Sequence, residues 1–102
     1  MSFRGPLAVT LALLLAPAPA LASAELARSK NCVACHHPER KMIGPSWNAI
    51  AVRHADDQAA VRTLGEKVVA GGSGAWGPMP MPPQAVSQAE AEALVAWILT
   101  QR

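Results

Sequence analysis

Two thiols three positions apart, followed at once by an imidazole, stand at Cys32-Val33-Ala34-Cys35-His36. This is the C-x-x-C-H pattern by which a c-type haem is attached. Two cysteines at that spacing reach the two vinyl groups on one porphyrin edge, and the adjacent His36 then supplies the proximal imidazole to iron. Three other chemistries compete for the motif. A thiol–disulfide redox pair calls for a βαβ context, and no strand pattern is found. A structural zinc site calls for four ligands, which two cysteines supply only if His36, His37 or His54 complete the set. A disulfide between such near neighbours closes almost no loop and stabilises little. Covalent haem is the reading the motif favours.

A sixth iron ligand has to come from three histidines and four methionines. Met1 lies in a leader, and Met42 follows His36 too closely. Met79 and Met81 lie in Gly77-Pro78-Met79-Pro80-Met81-Pro82-Pro83, where flanking prolines fix backbone φ and reduce the entropy lost on binding. An extended segment puts both thioethers on one side, so periodicity does not choose between them. Most methionines simply pack, so one of the pair is expected to pack and the other to bind. His54, on a short helix, is the alternative ligand, and His37 reads as a solvated neighbour of His36.

The elements that must position these groups are short. The pattern predicts four helices and no strands: about Ala24–Asn31, Ser46–His54, a third from an Asp56 or Asp57 cap to Ala70, and a last one opened by the Ser87-Gln88-Ala89-Glu90 capping box. Apolar faces fall at Trp47, Ile50 and Ala51, then at Val61, Leu64 and Val68, then at Leu94, Trp97 and Ile98. Gly71-Gly72 stops the third helix. Between Gly71 and Val86 the glycines and prolines are so dense that neither helix nor strand is expected to persist.

Residues 1–24 read as a secretory leader, with Arg4 as the basic region and Leu7–Ala16 as a short apolar run. That run falls below the ~20 residues of a membrane span. There is no twin arginine and no lipobox cysteine. Small residues permit cleavage after Ala22 or after Ala24, and the second is slightly preferred, giving a domain of residues 25–102. Those 78 residues carry eight Lys+Arg against seven Asp+Glu, so nucleic-acid binding has no charge to rest on. A chain of this size is marginal on its own core and calls for a cofactor. The expectation is an all-α fold of about four helices around one covalent haem, exported to the periplasm, not inserted in a membrane, and monomeric.

The sequence resembles the small bacterial class I cytochromes c of the cytochrome c-551 type. The matching segments are Asn31–His36, Lys41-Met-Ile-Gly-Pro45, Gly72-Ser-Gly-Ala-Trp-Gly-Pro78, Met81-Pro-Pro83 and Ala96-Trp-Ile-Leu99. The resemblance implies that Met81, directly before Pro-Pro, is the sixth ligand. It also implies that the Pro45 carbonyl receives the other ring nitrogen of His36, that Trp76 donates to a haem propionate, and that Lys67 lies near the same edge. Gln84 stands where the family often has an asparagine that donates to the methionine sulfur, and His54 where an aromatic ring is common. The implied function is single-electron transfer between redox proteins, transient partners met at an exposed haem edge, with no catalysis. A sensor or peroxidase-like domain whose Met81 bond opens is the alternative, and a haem-free thiol module ranks behind it.

Overall fold

A computed structural model describes residues 2–12 and 19–102. Part of the leader's apolar run therefore lies outside the described residues, as do Met1, Pro17 and Ala18. Residues 2–12 carry no regular structure and are exposed.

Four helices make up the body: α1 (Pro19–Ser29), α2 (Trp47–Arg53), α3 (Ala60–Ala70) and α4 (Gln88–Ile98), with a 3-10 turn over Cys32–Ala34. α1 starts earlier than its sequence pattern predicted, because the alanine-containing stretch from Pro19 continues the helix upstream of Ala24. It stops two residues short of the predicted end, where Asn31 takes left-handed backbone angles (φ 61°, ψ 21°). α2 starts one residue after its predicted start because Ser46 serves as its cap, the hydroxyl accepting from the Ala49 N–H at 3.0 Å. α3 begins later than an aspartate cap would place it. Asp57 Oδ1 instead accepts from the Ala59 N–H at 2.9 Å and closes the preceding turn, and the helix starts at Ala60. The α4 capping box is complete: Ser87 Oγ accepts from Glu90 N–H at 3.1 Å, and Glu90 Oε1 accepts from Ser87 N–H at 3.0 Å.

One departure from the helical expectation is a ribbon where no strand was foreseen. β1 (Gly72–Gly74) pairs antiparallel with β2 (Gly77–Met81), Gly72 opposite Met81 and Gly74 opposite Gly77. Proline lacks the donor a central strand needs, but both strands of a two-stranded ribbon are edges, where a missing N–H faces outward. The reversal is made by Gly74 and Gly77 at φ 97° and 115°.

The protein core is small. It consists of Ala27, Ala51, Ala60 and Ala91 with Trp47, Leu94, Val95 and Ile98, all at or below 7 % exposure. α4 is the hub, packing on α1, α2 and most extensively α3. Four of the eight core residues are alanines, so the helices approach closely at these points and supply few bulky groups for the centre. Leu64, Val68 and Ile50 turn to a cavity of about 530 Å³ that the remaining residues surround.

Candidate cofactor site

The left-handed Asn31 turns the chain off α1 into a tight coil. Ala34 N–H donates to Asn31 O at 3.1 Å, Cys35 N–H to Cys32 O at 3.1 Å, and His36 N–H to Cys32 O at 3.0 Å. This coil brings Cys32, Cys35 and His36 to one wall of the cavity, with both cysteines as free, half-buried thiols. Burial pushes the Cys32 thiol above its ordinary value, partly offset by a backbone hydrogen bond. A raised thiol is the reverse of what a redox-active C-x-x-C needs, since there the thiolate attacks.

His36 is buried, and its ring is fixed on three sides. Nδ1 lies 2.7 Å from the Pro45 carbonyl. A carbonyl only accepts, so Nδ1 carries the proton and Nε2 keeps its lone pair. Trp47 stacks on the imidazole with centroids 4.6 Å apart and planes 20° from parallel. Gly44 closes the third side, for a Cβ there would lie 2.5 Å from His36 Cε1. The loop that does this is pinned by Gly44 N–H to Cys35 O at 2.9 Å and Trp47 N–H to His37 O at 3.0 Å. His37 differs from the solvated neighbour the sequence suggested. It is half-buried, and its Nδ1 accepts from the N–H groups of Glu39 and Arg40 at 3.0 and 3.2 Å.

The ribbon lies along the same cavity. Both Met79 and Met81 line it, Met79 being 64 % exposed and Met81 half-buried. Gly71, with φ 72°, lets α3 turn directly beneath the ribbon: a Cβ there would meet Met81 O and Pro83 N at 2.7 Å each. Gln84 N–H donates to Val68 O at 3.0 Å, and its side-chain Nε2 donates to Pro82 O at 2.8 Å rather than to a methionine sulfur. Trp76 lines the cavity under Arg53, whose guanidinium lies 4.4 Å above the indole while Nη1 donates to Ala75 O at 2.7 Å. Lys67 on α3 is exposed at the cavity margin. His54 also lines the cavity, half-buried, with Nδ1 3.9 Å from Asp57 Oδ2. Met42 is not among the lining residues.

The sequence reading gave Gly44 no contact role, took Gly71 only as a helix stop, and missed Arg53. The first two carried a signal in the Gly-Pro and Gly-Gly pairs, but which neighbour each glycine admits is a tertiary fact. Arg53 acts on a residue 23 positions away and left no local pattern.

The cavity suits a flat, apolar cofactor with anionic substituents. Its size falls within the range of cofactor sites, two thiols and one imidazole stand on one wall, thioethers line it from the ribbon, and Lys67, Arg53 and the Trp76 indole offer donors. Among the described residues no group of three His, Cys, Asp or Glu side chains could hold a bare metal ion, so the zinc alternative finds no ligand set.

Known proteins agree with this geometry. The Cytochrome c family profile matches residues 20–102. Cytochrome c-552 of Nitrosomonas europaea is 49 % identical over 82 residues, covering 79 % of this chain and 80 % of that protein. Cytochrome c-551 of Azotobacter vinelandii is 44 % identical over 78 residues, covering 76 % and 95 %. The crystal structure of Nitrosomonas europaea cytochrome c552 superposes with a TM-score of 0.74 at 48 % identity, covering 78 % of this chain and 99 % of that one. With the attachment motif, the four-helix fold and these relatives in agreement, the chain belongs to the cytochrome c family, as a small electron carrier of the c-551/c-552 kind with covalently bound haem c.

Proposed function

We propose that this protein is a periplasmic, monomeric carrier of single electrons whose haem iron is held by His36 and Met81, and that it is not an enzyme. The observation that carries this reading is the pairing of a fixed imidazole with a thioether-bearing ribbon on one cavity. His36 Nδ1 is committed to Pro45 O at 2.7 Å, which leaves Nε2 as the donor atom. Haem, when bound, supplies reversible one-electron chemistry between Fe(III) and Fe(II), and axial methionine raises its potential.

Of the two thioethers, Met81 is the better anchored. It is half-buried, its backbone pairs with Gly72, and Pro80 and Pro82 fix φ on either side. Met79 is the more exposed, and stands with Pro78 and Pro80 on the outer part of the ribbon. A ligand pair held by a stacked ring and a proline-set strand changes little between oxidation states. Were His36 and Met81 both to hold the iron, they would leave no position for peroxide or oxygen, which favours a carrier over a catalyst or sensor. Cys32 and Cys35 hold the cofactor covalently. Trp76 and Lys67 are the groups for the propionates, and Pro45 tunes His36 through the carbonyl contact, which raises imidazole basicity. Gln84 serves the loop through Pro82 O.

Partners are other redox proteins, bound briefly. Val33, Met42, Ile43 and Met79, 41–64 % exposed, supply an apolar surface for such encounters. No described helix is long and apolar enough to cross a membrane, and the leader directs the chain to the periplasm.

The deciding experiment is the visible to far-red spectrum of ferric protein made with haem-attachment machinery. A weak far-red sulfur-to-iron band is expected in wild type and in Met79→Ala, and is lost in Met81→Ala. A band that survives Met81→Ala and disappears in Met79→Ala would reverse the assignment. Absence of the band in haem-loaded wild type would move the sixth ligand to His54 or leave the position open.

A further inference from the structure

Two peptide bonds satisfy the small-x-small rule for leader removal, Ala22–Ser23 and Ala24–Glu25, and the fold distinguishes their products. Ser23 is not leader-like in its surroundings. It is 6 % exposed, and its Oγ donates to the Ala93 carbonyl of α4 at 3.2 Å, across 70 residues. One turn later on the same face of α1, Ala27 is 1 % exposed. Ala22, immediately before, is exposed. Upstream, among the described residues, the large apolar side chains of Phe3, Leu7, Val9 and Leu11 are 77–99 % exposed. Among the residues whose burial is described, Ser23 is the first that the folded body buries.

We propose that the leader is cut between Ala22 and Ser23, so that the exported chain begins with Ser23 rather than Glu25. The inference rests on the export reading above and assigns its processing site. The reaction is hydrolysis by a leader peptidase that accepts small side chains at the third and first positions before the cut, here Ala20 and Ala22. Water adds across the Ala22–Ser23 bond, its oxygen joining the Ala22 carbonyl carbon as a carboxylate while the Ser23 nitrogen leaves as an ammonium. The product keeps seven residues of α1, Ser23–Ser29, together with the contact to α4. A cut after Ala24 keeps five, removes the Ser23–Ala93 bond, and places the new ammonium on Glu25 itself. Either cut leaves a new ammonium at the helix start, where it opposes the helix dipole, so this effect does not separate the two bonds. After a cut at Ser23, the Glu25 carboxylate, which already meets Arg28 Nη2 at 3.1 Å, stands in the first turn and favours the helix.

The test is intact mass and N-terminal sequencing of holoprotein from the periplasm of a host with haem-attachment machinery. The expected N-terminus is Ser-Ala-Glu-Leu, in wild type and equally in Ala24→Leu, which spoils only the later site. Ala20→Leu spoils only the earlier one and is expected to yield either uncut precursor or a chain starting at Glu25 with a lower urea midpoint. A wild-type N-terminus of Glu-Leu-Ala overturns the proposal, and so does loss of cleavage in Ala24→Leu. A chain retaining Met1 overturns the proposal and the export reading together, whereas covalent haem in the same mass spectrum upholds the carrier reading whichever bond is cut. Ser23→Ala, cut at the same bond, is expected to shift the unfolding equilibrium about 5-fold, in line with one part-buried hydrogen bond. An unchanged equilibrium would remove the structural ground for the choice of bond.

Discussion

Replacing Gly44 by alanine asks whether the imidazole wall is as rigid as its contacts imply. The added methyl carbon would lie 2.5 Å from His36 Cε1, 2.9 Å from Nδ1 and 3.1 Å from Nε2. Real Cβ contacts do not approach 2.5 Å, so either the ring or the loop must move. The ring is held from behind by Trp47 at 4.6 Å and in its plane by the 2.7 Å contact to Pro45 O. The loop is held by Gly44 N–H on Cys35 O at 2.9 Å. Overpacking of this kind costs about 1–3 kcal/mol, and displacing Nδ1 from Pro45 forfeits roughly 1 kcal/mol more. The sum, about 2–4 kcal/mol, is a large part of the ~5–15 kcal/mol that holds a domain together.

At a urea dependence of about 1 kcal/mol per molar, the midpoint of Gly44→Ala holoprotein should fall by roughly 2 M or more. Its ferric spectrum should also change, because His36 has moved. Gly72→Ala is the matched control: no atom lies within 4 Å of its added Cβ and its φ is ordinary, so its midpoint should stay within ~0.5 kcal/mol of wild type. If Gly44→Ala unfolds at the wild-type midpoint with an unaltered spectrum, the picture of a clamped His36 is wrong.

Four further outcomes follow from named residues. Asn31→Val should destabilise the holoprotein by about 1–2 kcal/mol in urea titration, the cost of left-handed backbone for a β-branched residue, whereas Asn31→Gly should not. Ser87→Ala should cost about 1 kcal/mol through loss of the α4 cap. The Ser87 backbone N–H holds the Glu90 carboxyl below its usual value, so the charge-dependent part of the box is present above the ordinary carboxylate pKa. It is lost as pH falls through the depressed value, and the margin of wild type over Glu90→Gln in acid titration should shrink there and nowhere higher. Arg53→Ala removes the cation over Trp76 and the bond to Ala75 O; at about 1–2 kcal/mol together, hydrogen exchange of ribbon amides 72–81 should accelerate roughly 5- to 30-fold. Unchanged exchange would mean the ribbon is held by other contacts.

Much of this arrangement is written locally and was therefore legible in the sequence. Cys32, Cys35 and His36 declare their chemistry by spacing alone. Gly71 and the Ser87/Glu90 pair mark helix ends because capping is settled within a turn or so of chain. The ribbon was not legible, since dense glycine and proline count against a helix and a central strand but leave open a pair of edge strands. Nor was the third side of the His36 clamp, because Gly44 becomes specific only when Trp47 and Pro45 have fixed where the ring stands. Asp57 satisfied the rule for a helix cap and used its side chain on an earlier turn, a choice that depends on where Ala60 meets the core.

The two walls of the cavity are built by different means, and the difference bears on electron transfer. The histidine wall is made largely of short-range bonds within residues 31–48, with Trp47 also edge-on to Trp97 of α4 at 5.7 Å. The ribbon wall is tied to the body at its base by Gln84 N–H on Val68 O and at its tip by Arg53 on Ala75 O. Lys30 Nζ on Ala85 O, at 3.0 Å, draws the following loop towards α1. Between the walls the protein supplies a core half made of alanine, with Leu94, Val95 and Ile98 lining the cavity from α4. Haem in this cavity would complete the core as well as carry the electron, and covalent attachment through Cys32 and Cys35 would compensate for a body too small to retain it by burial. A core completed by a rigid cofactor has little freedom to rearrange when one electron arrives. A small core of this kind, completed by a cofactor, would thus also let electrons be exchanged with little movement.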